Sequence, residues 1–331
     1  MPRALMRALV RALMMVACAQ PLCSPPALAQ ADPPTPTPTP TPAPAASTEQ
    51  MLESTRDSVR SSTLWLARGV DSWFGDIPFD EGGKVSNGWL SMSLLKRQDQ
   101  RAEFGLRLTA QFKLPNVEEH AYLFVGRDDP RDVVTDQPVA FSRQQRLLAD
   151  RPVDQTFLAG LGLKLRDLLD LRIGVGGGIK PYVQARYHHT WTPGPADLVD
   201  FRETLFWTLS QHFGSTSVLS YEHALSSTLA ARWLSAATIS QESKNFEWSS
   251  SLGAYKSLGD QRLLSLEALL GGKLGTGVGV SDYGLQVKWE QPIYKNWLLG
   301  EIVGGHFWPR HDAQSERTRA WAMGLGLKMR F

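Results

Sequence analysis

A two-residue rhythm runs through the second half of this chain, and no other feature limits its fold as strongly. The closing residues, Trp321 to Phe331, read W-A-M-G-L-G-L-K-M-R-F. In an extended strand Trp321, Met323, Leu325, Leu327, Met329 and Phe331 share one face, while Ala322, Gly324, Gly326, Lys328 and Arg330 share the other, because successive side chains point to opposite sides. One face is wholly apolar; the other is small or cationic. Phe104, Leu106, Leu108, Ala110, Phe112 and Leu114 alternate in the same way with Glu103, Gly105, Arg107, Thr109, Gln111 and Lys113. So do Leu171, Ile173 and Val175, then Val183, Ala185 and Tyr187, then Leu285, Val287 and Trp289 with their polar neighbours.

If the apolar faces meet hydrocarbon, the charged faces must enclose a polar interior, since a midplane Arg or Lys turned to lipid costs about 2–4 kcal/mol. This assigns Glu103, Arg107, Lys113, Lys164, Arg172, Arg186, Arg232, Glu247, Glu267, Lys288, Glu290, Lys328 and Arg330 to a lumen, with Glu222 and Glu301 beside them. Strands are expected near 88–96, 102–114, 119–126, 155–166, 169–178, 181–192, 200–212, 215–225, 228–239, 245–256, 261–273, 282–291, 296–308 and 317–331. The fold class is therefore all-β, a transmembrane antiparallel up-and-down β-barrel of about 14 strands, with 12 as the alternative and a short helix in front. Two features keep 12 open: 120–126 is short and apolar throughout, and Thr192 to Asp200 makes a long link on the side where links should be short. The long segment from Arg127 to Asp154 falls on the outer side and reads as a solvated loop, with a constriction inside the pore or a lipopolysaccharide contact as alternatives. Trp191, Trp207, Trp289, Trp297, Trp308 and Trp321 lie near expected strand ends, where aromatic girdles sit.

A terminal strand of this pattern, ending on Phe331, resembles the closing strand of Gram-negative outer-membrane β-barrels. The segment Asp71–Asp76 and the run Gly305–Arg310 resemble proteobacterial barrel proteins that bring no activity with them. The resemblance implies that Trp321, Met323, Leu325, Leu327, Met329 and Phe331 form the signal read by the barrel-assembly machinery, and that outer-membrane lipid and lipopolysaccharide surround the protein.

The N-terminal third has a different organisation. Arg3, Arg7 and Arg11, the run Ala12 to Ala19 and the triplet Ala27-Leu28-Ala29 form a secretory signal peptide, residues 1–29; a lipidated Cys18 is the rival reading. Residues 30–46 are a Pro/Thr-rich periplasmic linker, and its polyproline II tract reaches roughly 35–40 Å at about 3.1 Å per residue. Residues 47–75 form an amphipathic helix, with Leu52, Val59, Leu66 and Trp73 at seven-residue spacing and Met51, Trp65 and Val70 alongside. It packs on its own barrel, lies at the membrane surface, plugs the lumen or binds a periplasmic partner. Residues 86–331 make the barrel. Cys18 and Cys23 are the chain's two cysteines, so the cleaved protein has neither disulfide nor thiolate chemistry. Taking the three leader arginines from 35 basic residues leaves 32 against 33 acidic ones, a balance that points away from nucleic acid.

Enzyme signatures are thin. No H-E-x-x-H, G-x-S-x-G or P-loop occurs, and the glycines from Gly174 to Gly178 lack a dinucleotide fingerprint. His188 and His189 fall on opposite faces of a strand. His306 and His311, with Asp312, suggest a rim cluster of metal-binding or acid–base type, although a solvated rim is the commoner arrangement. No catalytic residue, metal or cofactor is assigned. Three function classes follow: a porin-like conduit for small hydrophilic solutes, a closed structural or interaction barrel with a partner-binding helix, and a lipid-directed enzyme.

Overall fold

The computed structural model describes residues 48–71, 84–113, 120–128, 133–134, 156–165, 168–177, 180–310 and 312–331. The expected signal peptide and linker, Cys18, Trp73 and His311 lie outside the described residues, as do the side chains of Met51, Trp65, Leu66 and Val70.

After the helix α1 (Thr48–Asp71) come fourteen strands: β1 (Lys84–Arg97), β2 (Glu103–Lys113), β3 (Ala121–Asp128), β4 (Thr156–Leu165), β5 (Leu169–Gly176), β6 (Lys180–Trp191) and β7 (Asp197–Thr208). They continue as β8 (His212–Ser226), β9 (Leu229–Ser240), β10 (Phe246–Ser257), β11 (Leu263–Leu274), β12 (Asp282–Tyr294), β13 (Leu298–Phe307) and β14 (Ala320–Arg330). Each pairs antiparallel with its neighbours in sequence, and β1 closes on β14, with Trp89 opposite Arg330 and Arg97 opposite Ala322. Closure leaves no free edge. An even count puts the start of β1 and the end of β14 at one rim, the terminal rim; the other is the far rim.

Fourteen, not twelve, is the count. The uncertain apolar segment is β3, paired with β2 and β4. The long link shrinks because β7 begins at Asp197, leaving 192–196 between strands.

The outer face of β14 carries exposed Trp321 (67%), Met323 (66%), Leu325 (52%) and Leu327 (38%). Met329, on the same face, is 6% exposed. What covers it is α1. Leu52 and Val59 pack with Trp297, Leu298, Met329, Leu90 and Phe331, and Leu64 packs with Ala110, Phe112 and Leu123. The helix therefore lies against the outer wall at the terminal rim and straddles the β1–β14 seam. Phe331 donates its N–H to the Gly88 carbonyl (3.2 Å), and its ring lies where a Gly88 Cβ would stand 2.8 Å away, so a side chain at 88 would displace it. Arg56 Nε donates to the Arg330 carbonyl (3.2 Å), with its guanidinium 5.1 Å from the Trp297 ring centre.

Glu53 pairs with Lys295 in the turn after β12. The hydrogen bond from Lys295 holds the Glu53 carboxyl below its usual range, and the same bond raises Lys295. A depressed carboxyl stabilises above its unfolded pKa, and this is lost as pH falls through the folded value; a raised lysine loses its contribution as pH rises through its own. Docking of α1 is thus expected to loosen modestly at both extremes, because the pair is exposed and screened. The readout is an acid-side change in tryptophan fluorescence that Trp297→Phe abolishes and Lys295→Ala removes; a flat profile in the parent protein contradicts it.

The barrel interior as candidate functional site

Strand alternation turns one set of residues inward, and the structure brings those residues together across strands. On β3, β5 and β6, the Tyr122 hydroxyl donates to Asp170 (2.7 Å to Oδ2), Arg172 Nε donates to Tyr122 Oη (2.6 Å), and Arg186 lies 3.9 Å from Asp170. Arg172 also lies over the Tyr122 and Phe124 rings, and Lys164 stands 5.7 Å from the Tyr122 ring centre. Arg107 pairs with Asp128 (3.0 Å). Across the lumen, Lys328 bridges Glu290 (2.5 Å) and Glu301 (3.0 Å), while Glu267 accepts from Tyr255 (2.6 Å) and Gln286 (2.6 Å). Arg232 pairs with Glu222 (3.1 Å), and Glu247 with Lys273 (2.7 Å). Arg330 lies 4.4 Å from the Trp89 ring centre at the terminal rim. Glu103, Lys113 and Lys288 keep the same inward register as Arg107, Gln286 and Glu290.

Several members of these networks are absent from the sequence-based set. Asp170, Asp128, Asp282, Arg97 and Asp200 all face inward; Asp200 accepts from Thr190 (3.1 Å) and meets His188 Nε2 at 2.5 Å. The signal that could have found Asp170 and Asp128 is the same alternation, extended two residues before Arg172 and three residues after Val125.

The inner wall also carries apolar groups. Tyr122, Phe124, Leu158, Tyr182 and Phe206 form a buried cluster inside the barrel. The Tyr122 and Phe124 rings lie over glycines of the next strand: a Cβ at Gly162 would stand 2.1 Å from Tyr122, and one at Gly160 2.5 Å from Phe124. Packed on this cluster are Val133 and Val134, from the link between β3 and β4. Gln184 Nε2, on β6, donates to the Val133 carbonyl (3.3 Å) and the Val134 carbonyl (2.8 Å). At Val133–Val134 the structure departs from the expectation of a solvated loop: these two valines meet an apolar inner wall, and burying them there favours insertion.

The histidines separate. His188 points inward to Asp200, whereas His189 points outward and packs edge-on against Trp191 (4.5 Å between ring centres). His306 also faces outward, between Trp308 (4.4 Å) and Trp321 (4.3 Å), in an aromatic band rather than an acid–base pair. Among the described residues no group of His, Cys, Asp and Glu is arranged to hold a metal ion.

These features define a class: a closed fourteen-stranded up-and-down β-barrel, apolar outside and ionic inside. No protein-family model matches the chain, and no curated protein matches it. Solved structures of similar form include OmpT of Vibrio cholerae, expressed in the outer membrane, at 12% identity over 75% of this chain and 98% of that one, with a TM-score of 0.42. An anion-selective porin from Comamonas acidovorans aligns at 8% identity over 75% and 100%, TM-score 0.42. The KdgM porin in complex with disordered oligogalacturonate aligns at 8% identity over 73% and 99%, TM-score 0.35.

Proposed function

We propose that this protein is an outer-membrane channel for small hydrophilic solutes, narrowed by the turn at Val133–Val134. The observation that carries the reading is the ionic inner wall, which continues from the terminal rim to the far rim past that turn. Arg330, Lys328, Lys164 and Asp170 stand toward one end, Arg172, Arg186 and Glu267 in the middle, and Arg97, Arg107 and Glu247 toward the other. The exposed outer belt of leucines, valines and aromatics requires hydrocarbon around it, and the expected signal peptide brings such a chain to the outer membrane. There the terminal rim faces the periplasm.

Beside the constricting turn, Lys164, Arg172 and Arg186 face Asp170, an excess of positive charge among the described residues. Rings of charge at a narrow point select the opposite ion. The channel therefore prefers anions. In planar bilayers under a salt gradient, the reversal potential is expected to favour anions, and Lys164→Glu is expected to lower the anion-to-cation permeability ratio a few-fold. Cation selectivity in the parent protein removes this reading.

A second reading, a closed barrel that serves as a scaffold, draws on the buried inner cluster around Val134. It requires that no conductance be seen. Leu52, Val59 and Leu64 of α1 already engage the barrel, so a periplasmic partner of residues 47–75 would meet a side of the helix other than the one these three present.

A further inference from the structure

Nearly every outward side chain in the belt is apolar, but the outer face of β7 to β10 is not. Glu203, midway along β7 between Trp207 and Val199, turns outward, and Val199 pairs with Tyr221 of the opposite aromatic band. Its carboxylate accepts from the hydroxyls of Ser215 and Ser217 on β8, the latter at 2.5 Å. The row through Glu203 runs Tyr187, Glu203, Ser217, Ala237 across β6 to β9. Ser235 and Ser250 adjoin it on β9 and β10. Ser235 donates to the Ser249 carbonyl (3.3 Å), and Ser250 accepts from Trp233 Nε1 (2.9 Å). A shallow area of serines and alanine, centred on a carboxylate, thus lies at the depth of the hydrocarbon. On the opposite wall the same depth shows Met92 and Leu94 of β1 and Met323, Leu325 and Leu327 of β14.

We propose that this face is where a second copy of the chain docks. An ionisable group held within the bilayer marks a partnered position, and only another membrane-embedded surface reaches this depth. Small residues let two walls approach closely. The patch is also self-complementary. A carboxylate offers about four acceptor sites; Ser215 and Ser217 occupy two of them on a side chain in the outward register. The donors that could meet the remaining ones lie on the same face: the Ser250 hydroxyl, whose oxygen accepts from Trp233 while its hydrogen remains to be given, and the Tyr187 hydroxyl beside Glu203. A two-fold axis through the patch brings the acceptor of each copy toward the donors of the other, the isologous arrangement expected of a homodimer. The inference depends on membrane insertion and not on conduction, so an open or a closed barrel would both carry it.

The cleaved protein is expected to lack cysteine, which makes the test direct. Ser217→Cys and Ala237→Cys, each in the full chain in native outer membranes, are treated with a membrane-permeant copper oxidant. A covalent species of twice the monomer mass is expected from both, and none from Met92→Cys on β1, at the far wall. Glu203→Leu is expected to shift the protein toward monomer in native mass measurements in mild detergent. Monomer throughout overturns the proposal. So does an adduct of any other mass, or equal crosslinking from Met92→Cys. If Ser217→Cys fails to fold, Ala237→Cys decides alone.

Discussion

Replacing residues 130–154 by a short Gly-Ser link is expected to raise single-channel conductance several-fold, the increase that a widened narrow point gives. The barrel should survive the change. β3 and β4 pair along their length without help from the segment, from Ala121 opposite Leu163 to Asp128 opposite Thr156, and a shorter loop costs less entropy to close. What the replacement removes is the contact of Val133 and Val134 with Tyr122, Phe124, Leu158, Tyr182 and Phe206. A finer version is Gln184→Leu. Gln184 is fully buried and holds two carbonyls of the turn. Losing both hydrogen bonds leaves acceptors in a closed space at a cost of about 1–3 kcal/mol, enough to let the turn detach. Conductance is then expected to fluctuate between the parent level and that of the loop-replaced protein. An unchanged conductance in both variants would place the turn outside the conducting path, and no conductance in the parent or in either variant would favour the scaffold reading.

How much of this was legible in the sequence depends on which interaction fixes each residue. Where a strand has lipid on one side and water or ions on the other, its own alternation suffices. That is the case for β2 and β14, whose faces follow from residues such as Arg107 and Lys328. β3 breaks the rule. Tyr122 and Phe124 look like lipid-facing groups, yet they point inward, because Gly160 and Gly162 on β4 leave room for their rings. The reason lies in a pairing between strands separated by a long link, and neither segment shows it alone. Val133 and Val134 sit in a charged segment, and the apolar wall that draws them inward is built by β3, β4, β6 and β7. Glu203 departs in the other direction: an acid in the outward register, stabilised by serines of the next strand. The helix was recognisable from Leu52 and Val59, but its landing site required knowing that Met329, Phe331 and Phe112 come together at one rim.

Arg97→Leu is expected to destabilise the barrel by about 3–5 kcal/mol, the usual loss when one member of a buried ion pair is removed. Arg97 is 2% exposed; its Nη1 lies 2.6 Å from Asp282 and its Nε 2.8 Å from Asp99. The guanidinium stands 5.2 Å from the ring centre of Phe307, which is fully buried. Arg97 belongs to β1 and Asp282 to β12, so the side chain crosses inside β14 and β13 to reach its partner. It can do so because the inner face of β14 is small there, with Ala320, Ala322 and Gly324. The pair thus ties together strands on both sides of the closing seam, from within, at the rim opposite α1. Removing the arginine leaves the Asp282 carboxylate in a desolvated place without that counter-charge. Removing both charges, as in Arg97→Leu with Asp282→Leu, is expected to recover much of the loss, since a buried pair replaced by apolar groups is often near neutral. Arg97→Lys should fall between, because an ammonium cannot present two directed N–H groups to Asp99 and Asp282 at once. The measurement is the urea or heat midpoint for loss of the compact gel-shifted form, arranged as a double-mutant cycle so that the coupling of the two charges is read separately from the cavity each change makes. A double variant as unstable as Arg97→Leu would mean that the arginine acts through Phe307 and packing alone, and the seam would then owe its closure to backbone pairing and to the helix on its outer side.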